Sequence, residues 1–203
     1  MVPSCSFGRL YHAHVIFVLE ALRTGVDLVN VGFLWEEYTD TAPVHAVHEM
    51  IEIVIDALCN PDKPRPQGEV ILGEIIRQSV PPRVSLAGKR LTILLSNRFW
   101  ARARTTVTPE AEKHFIEAFT DCVRSVATEA EDRDNTILHD IDSYLTFRRR
   151  NIGIRSSFMP GELQLSLPDE VYYHPIIREL KDLIADLVLL DNVSHCRVPV
   201  DVC

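Results

Sequence analysis

The chain has 203 residues, 46% of them apolar and 25% charged, with a formal net charge of -8. That composition belongs to one soluble globular domain with a sizeable core, and the charge excludes the phosphate-tracking surface of a nucleic-acid binder. Cys5, Cys59, Cys122, Cys196 and Cys203 are odd in number, widely spread and without a C-x-x-C pair. They offer neither a disulfide framework nor a zinc knuckle, and they fit a reducing cytoplasm.

Met1 to Gly8 carries no structural pattern, and helical periodicity begins so soon afterwards that an N-terminal part is expected to be missing. Val15 to Leu22 is apolar but contains Glu20, and it falls far short of the ~20 residues that span a bilayer. From Ala13 to about Asp40 the spacing predicts one helix. Its last turns read Phe33-Leu34-Trp35-Glu36-Glu37-Tyr38-Thr39-Asp40. Residues three and four apart share a helix face, so Glu36, Glu37 and Asp40 converge at the end of an apolar rod. Magnesium takes few protein carboxylates and leaves its other positions to water and substrate phosphates, which suits such a group at the mouth of a cavity. The plainer alternative is a solvated helix end.

Thr41-Ala42-Pro43 breaks the pattern before a second helix from Val44 to Leu58. His45 and His48 stand at possible zinc spacing on it, without the H-E-x-x-H order or a third partner. A proline-rich loop, Cys59 to Pro66, precedes a short helix expected over Gly68 to Gln78. Ser79 to Arg98 then holds Arg83, Lys89, Arg90 and Arg98 with no acid, and includes one candidate strand, Leu91 to Leu95. Thr108-Pro109-Glu110 combines a hydroxyl cap, a first-turn proline and an acid, and so predicts the start of a long helix. Ala111, Phe115, Phe119, Cys122, Val123 and Val126 form its apolar stripe.

A further helix is expected from His139 to Arg150. It ends in Arg148-Arg149-Arg150-Asn151-Ile152-Gly153. Guanidinium groups suit a diphosphate, but three consecutive arginines on a helix cannot all face one site. They equally suit the negative end of the helix dipole. His139-Asp140 lacks the additional histidines of a metal phosphohydrolase. Leu167 to Glu170 reads as a loop, and a last helix from Pro175 carries Ile176, Ile177, Leu180, Leu183, Ile184, Leu187 and Val188 at helical spacing. An all-α bundle follows, in which side chains projecting from facing helices build ligand sites.

Leu22 to Asn30 leading into Glu36-Glu37-Tyr38-Thr39-Asp40, then Asp56 to Pro61, Asp132-Arg133-Asp134, Asp140 to Tyr144, Arg148-Arg149, Gly153, Ser157-Phe158, Leu167 to Val171 and His174-Pro175 resemble, in that order, the fungal, mushroom-type class I sesquiterpene synthases. The resemblance implies the class I terpenoid synthase helical bundle, incomplete here at both ends. It implies that Glu36, Glu37 and Asp40 are the aspartate-rich Mg2+ motif, with Glu36 standing where an aspartate is usual. Arg149, with Arg148 as the alternative, corresponds to the diphosphate-sensing arginine. Gly153 lies in the helix break behind it, and Phe33 is a candidate wall of the substrate cavity.

In the family's second metal motif, Asn-Asp-x-x-Ser-x-x-x-Glu, Asn192 matches the asparagine. Cys196 falls at the serine and Val200 at the glutamate, so the rest departs. Val193-Ser194 is encodable as GTG-AGT, a sequence that begins many introns. Residues 193–203 therefore read as a translated intron, and 79–98 as a second one that interrupts an Arg77-Gln78 to Phe99-Trp100 join, the alternative for 79–98 being a natural surface loop. The expected domain is a partial synthase domain over 1–192 with an insertion at 79–98 and a non-family tail.

The function implied is Mg2+-dependent ionisation of farnesyl diphosphate and closure to a cyclic sesquiterpene, with loss of diphosphate. A chain-elongating synthase would need a second aspartate-rich cluster, which Asp186 to Asp191 does not supply. The rival from another class is a non-catalytic helical remnant with exposed apolar faces, prone to homodimerise.

Overall fold

The computed structural model describes residues 6–77 and 99–195, with side chains from 19 to 77 and from 99 to 192. The 79–98 segment with its candidate strand, and most of the 193–203 tail, lie outside the described residues. Every regular element among the described residues is a helix.

The first helix, α1, runs from Ser6 to Thr39, and Pro43 caps the second, α2 (Val44–Cys59). Proline fixes φ and prevents continuation of a helix, so the chain bends where the sequence predicts. α3 covers Leu72–Arg77, shorter than expected because Gly68, at φ +87, belongs to a turn. α4 (Phe99–Ala103) was too short to show periodicity. α5 (Pro109–Asn135) begins as predicted: the Thr108 hydroxyl accepts from the Ala111 amide at 3.2 Å.

The core forms where apolar stripes of these helices meet. α1 contributes Leu28, Val31, Leu34 and Trp35, α2 contributes Val47, Ile51, Val54 and Leu58, and α5 contributes Phe115, Phe119 and Val123. Phe99 and Trp100 of α4 fill the space between them. Full burial of each large side chain contributes about 1.5–3 kcal/mol. α5 is thereby the central strut, packing on α2 and on α6 (Ile141–Asn151).

Asp140 caps α6 by accepting from the Ser143 amide at 2.8 Å. Gly153 follows at φ +72, a left-handed conformation that favours glycine, and turns the chain into α7 (Ile154–Ser157). α8 (Met159–Glu162) and α9 (Asp169–Tyr172) are single turns, and α10 spans Pro175–His195. The stretch from Leu167 to Glu170 is thus a loop only up to Pro168, which caps α9.

The loop after α2 is stapled by charge. Asp56 accepts from Lys63 Nζ at 2.8 Å, Arg65 NH1 at 2.5 Å and Asn60 Nδ2 at 2.9 Å, while Arg65 also forks onto Glu69. Lys63 and Arg65 hold the Asp56 carboxyl down to about 2, below its ordinary 3.8. A depressed folded-state value stabilises the fold above pH ~4 and loses that contribution as pH falls toward 2. Asp56→Asn is therefore expected to cost about 1–2 kcal/mol at pH 7. Urea unfolding should show the gap between variant and parent narrowing from pH 4 to pH 2.

Candidate active site

α1 ends in acids, at the end of a helix where the backbone dipole is already negative. Glu36 and Asp40, one turn apart, both face a cavity of about 380 Å³ between α1, α5 and the α6–α7 bend. Leu28, Val29, Phe33, Phe119, Val123 and Val126 give it apolar walls, with Phe33 at the exposed rim. Glu37 does not border this cavity and is exposed. Burial, and next the negative charge of Asp40, push the Glu36 carboxyl above its ordinary range. Arg148 opposes that shift and Glu129 adds to it.

The three arginines fan out as the 100° step of a helix requires. Arg148 borders the cavity; it hydrogen-bonds the Asn151 side chain and lies 4.0 Å from Glu129. Its Nε is buried with no partner, so donor capacity beside the cavity is unspent. Arg149 points elsewhere, with Nε and NH2 each 2.7 Å from the Asp186 carboxylate of α10. Arg150 grips Asp121 of α5. Of the two arginines considered from the sequence, the alternative, Arg148, is therefore the one beside the acids.

Gly153 lies in the cavity wall, where Cys122 Sγ is 3.7 Å from the position its Cβ would take. Asn192 is exposed near the end of α10 and is not among the lining residues. Glu129, Asn151, Trp35 and Thr39 border the cavity without having been singled out. Glu129 was within reach of the pattern: the α5 stripe through Cys122 and Val126, continued by three residues, arrives at it.

Among the described residues no group of three or more His, Cys, Asp or Glu side chains converges to hold a metal by itself. The pair Glu36 and Asp40 still fits a hard divalent cation. Burial, and then the charge of Asp40, raises the Glu36 carboxyl, and the open cavity leaves room for the water and phosphate oxygens that complete a magnesium shell. Arg148 borders the same cavity, and its Nε has no partner among the described residues.

A family model described as "Terpene synthase family 2, C-terminal metal binding" matches residues 27–193. The chain belongs to the terpene synthase family. It is 49% identical over 189 residues to sesquiterpene synthase 14 of Postia placenta, an alignment covering 93% of this chain and 48% of that protein. A Delta(6)-protoilludene synthase of Stereum hirsutum is 39% identical over 93% of this chain and 46% of its own length. This terpene synthase chain thus spans about half the length of the curated relatives it matches.

The fold agrees. The crystal structure of the SVS_A2 protein from ancestral sequence reconstruction superposes with a TM-score of 0.67 at 19% identity, covering 87% of this chain and 48% of that one. Among the described residues no helix of this chain is long and apolar enough to cross a membrane.

Proposed function

We propose that this terpene synthase chain carries the diphosphate-gripping side of a Mg2+-dependent cyclase that converts farnesyl diphosphate to a cyclic sesquiterpene. The observation that supports it best is the meeting of Glu36, Asp40 and Arg148 on one cavity lined otherwise by apolar side chains. Bound magnesium supplies Lewis-acid neutralisation of the charge that develops on the departing diphosphate. Glu36 and Asp40 hold it at the end of α1. Arg148 donates charge-assisted hydrogen bonds to diphosphate oxygens. Phe119 and Val126, with Phe33 at the rim, give the allylic chain apolar contacts as the carbon–oxygen bond breaks. Cys59 and Cys122 are free thiols, in keeping with a cytoplasmic setting.

A second reading, the non-catalytic remnant, rests on two exposed apolar stripes. Leu19, Leu22, Val26, Val29 and Phe33 run along α1, and Ile176, Leu180, Leu183, Leu187 and Leu190 along α10. Surfaces of that kind favour association, including the homodimer expected from the sequence.

Incubating the purified chain with farnesyl diphosphate and Mg2+, with gas chromatography of the headspace and assay of released diphosphate, separates the two. The cyclase reading expects hydrocarbon and diphosphate together, both abolished by chelating the metal. Neither product, from a folded chain, leaves the remnant reading.

A further inference from the structure

The last four carbonyls of any helix lack partners within it, and at the end of α1 they stand beside three acids. Past Thr39, the last residue of α1, the chain bends, and Arg133, in the last turn of α5, donates to two carbonyls of that bend. Its NH1 is 2.6 Å from the Asp40 carbonyl and its NH2 2.6 Å from the Ala42 carbonyl. One planar fork thus holds the helix end and the bend into α2 together, a geometry that a lysine ammonium does not reproduce.

The neighbouring side chain reaches the other wall. Asp132 lies 2.7 Å from His139 Nε2, and the His139 ring stacks on Phe147 of α6 at 6.0 Å and 11°. α6 carries Arg148. Two consecutive residues of α5 therefore tie down both the acid-bearing end of α1 and the helix that bears the diphosphate donor.

We propose that Arg133 is a positioning residue for the metal step: by clamping the Asp40 and Ala42 carbonyls it fixes the carboxylates of Glu36 and Asp40 in the geometry that a divalent cation requires. This rests on the diphosphate reading above. A magnesium shell tolerates little angular error, so a loosened helix end costs metal affinity before it costs fold. Arg133 touches neither the cavity nor the arginine donor, so its loss acts on the metal and spares Arg148.

The test is titration of inorganic pyrophosphate with and without Mg2+, on the parent chain, Arg133→Met and Arg133→Lys. Arg133→Met is expected to raise the Mg2+ concentration for half-maximal enhancement about tenfold. Metal-free pyrophosphate affinity stays within about twofold, because Arg148 is an independent site. Arg133→Lys, retaining a charge and a donor, recovers part of the loss. Amide exchange of residues 36–42 in the metal-free protein should quicken about tenfold in Arg133→Met, an effect independent of ligand. An unchanged Mg2+ requirement, or an equal loss of metal-free affinity, overturns the proposal. A parent chain whose pyrophosphate binding ignores Mg2+ removes the diphosphate reading and this inference together; a responsive parent with an unresponsive variant removes this inference alone.

Discussion

Arg148→Ala is expected to weaken pyrophosphate binding about 10- to 100-fold, the worth of charge-assisted hydrogen bonds to an anion. Arg149→Ala should leave that affinity within about twofold, since the two side chains act at separate places. The contrast follows from the fan of the arginines. Arg148 borders the cavity that Glu36 and Asp40 share, whereas Arg149 forks its Nε and NH2 onto Asp186. Arg149→Ala instead removes a clamp between α6 and α10, so its signature is a lower melting temperature. Isothermal titration beside a thermal melt checks both variants. Equal losses of affinity, or a larger one in Arg149→Ala, would reverse the assignment.

Trp100→Ala is expected to destabilise the fold by about 3–5 kcal/mol, the range for removing a fully buried large aromatic side chain. Trp100 has no exposed surface; its ring lies 4.9 Å from that of Phe115 and 6.0 Å from that of Phe99. Its indole Nε1 also donates to the Leu58 carbonyl at 2.9 Å, so the substitution leaves a cavity and an unpartnered acceptor together. Against a total of about 5–15 kcal/mol for a domain, that loss removes a large share of its stability. Trp100→Phe keeps most of the packing and loses the hydrogen bond, for an expected cost of about 1–2 kcal/mol. Urea melts followed by circular dichroism read both. A Trp100→Ala cost below about 1 kcal/mol would mean that α4 does not knit α2 to α5 as described.

Much of the fold was legible because long amphipathic helices advertise themselves. The Thr108-Pro109 start of α5, the break at Pro43 and the stripe of α10 are local signals, and local physics decides them. The single-turn helices α4, α7, α8 and α9 were not legible, since one turn shows no period. In the site, the pairing of Glu36 with Asp40 follows from helix geometry alone. The divergence of Glu37 does not, because which flank of an acidic turn meets the cavity depends on how α1 rolls against α4, α7 and α8. The arginine run poses the same problem. Its spacing establishes that only some members can face one ligand, and Asp186 and Asp121, 37 and 29 residues away in the chain, decide which. Glu129 lies on the continuation of the α5 stripe, so extending that stripe by one step, charge notwithstanding, finds it. The fork of Arg133 onto two backbone carbonyls leaves no trace in residue spacing at all.

The grip of carboxylates and guanidinium on one anion is tested most directly by pyrophosphate binding as a function of Mg2+ in the parent chain, Glu36→Gln and Asp40→Asn. Mg2+ is expected to tighten binding at least about tenfold in the parent, since Glu36 and Asp40 would hold the cation beside the anion. Both carboxamide variants should lose that enhancement while keeping the metal-free affinity that Arg148 supplies. Binding that is indifferent to Mg2+, or a metal effect that survives both substitutions, would contradict it.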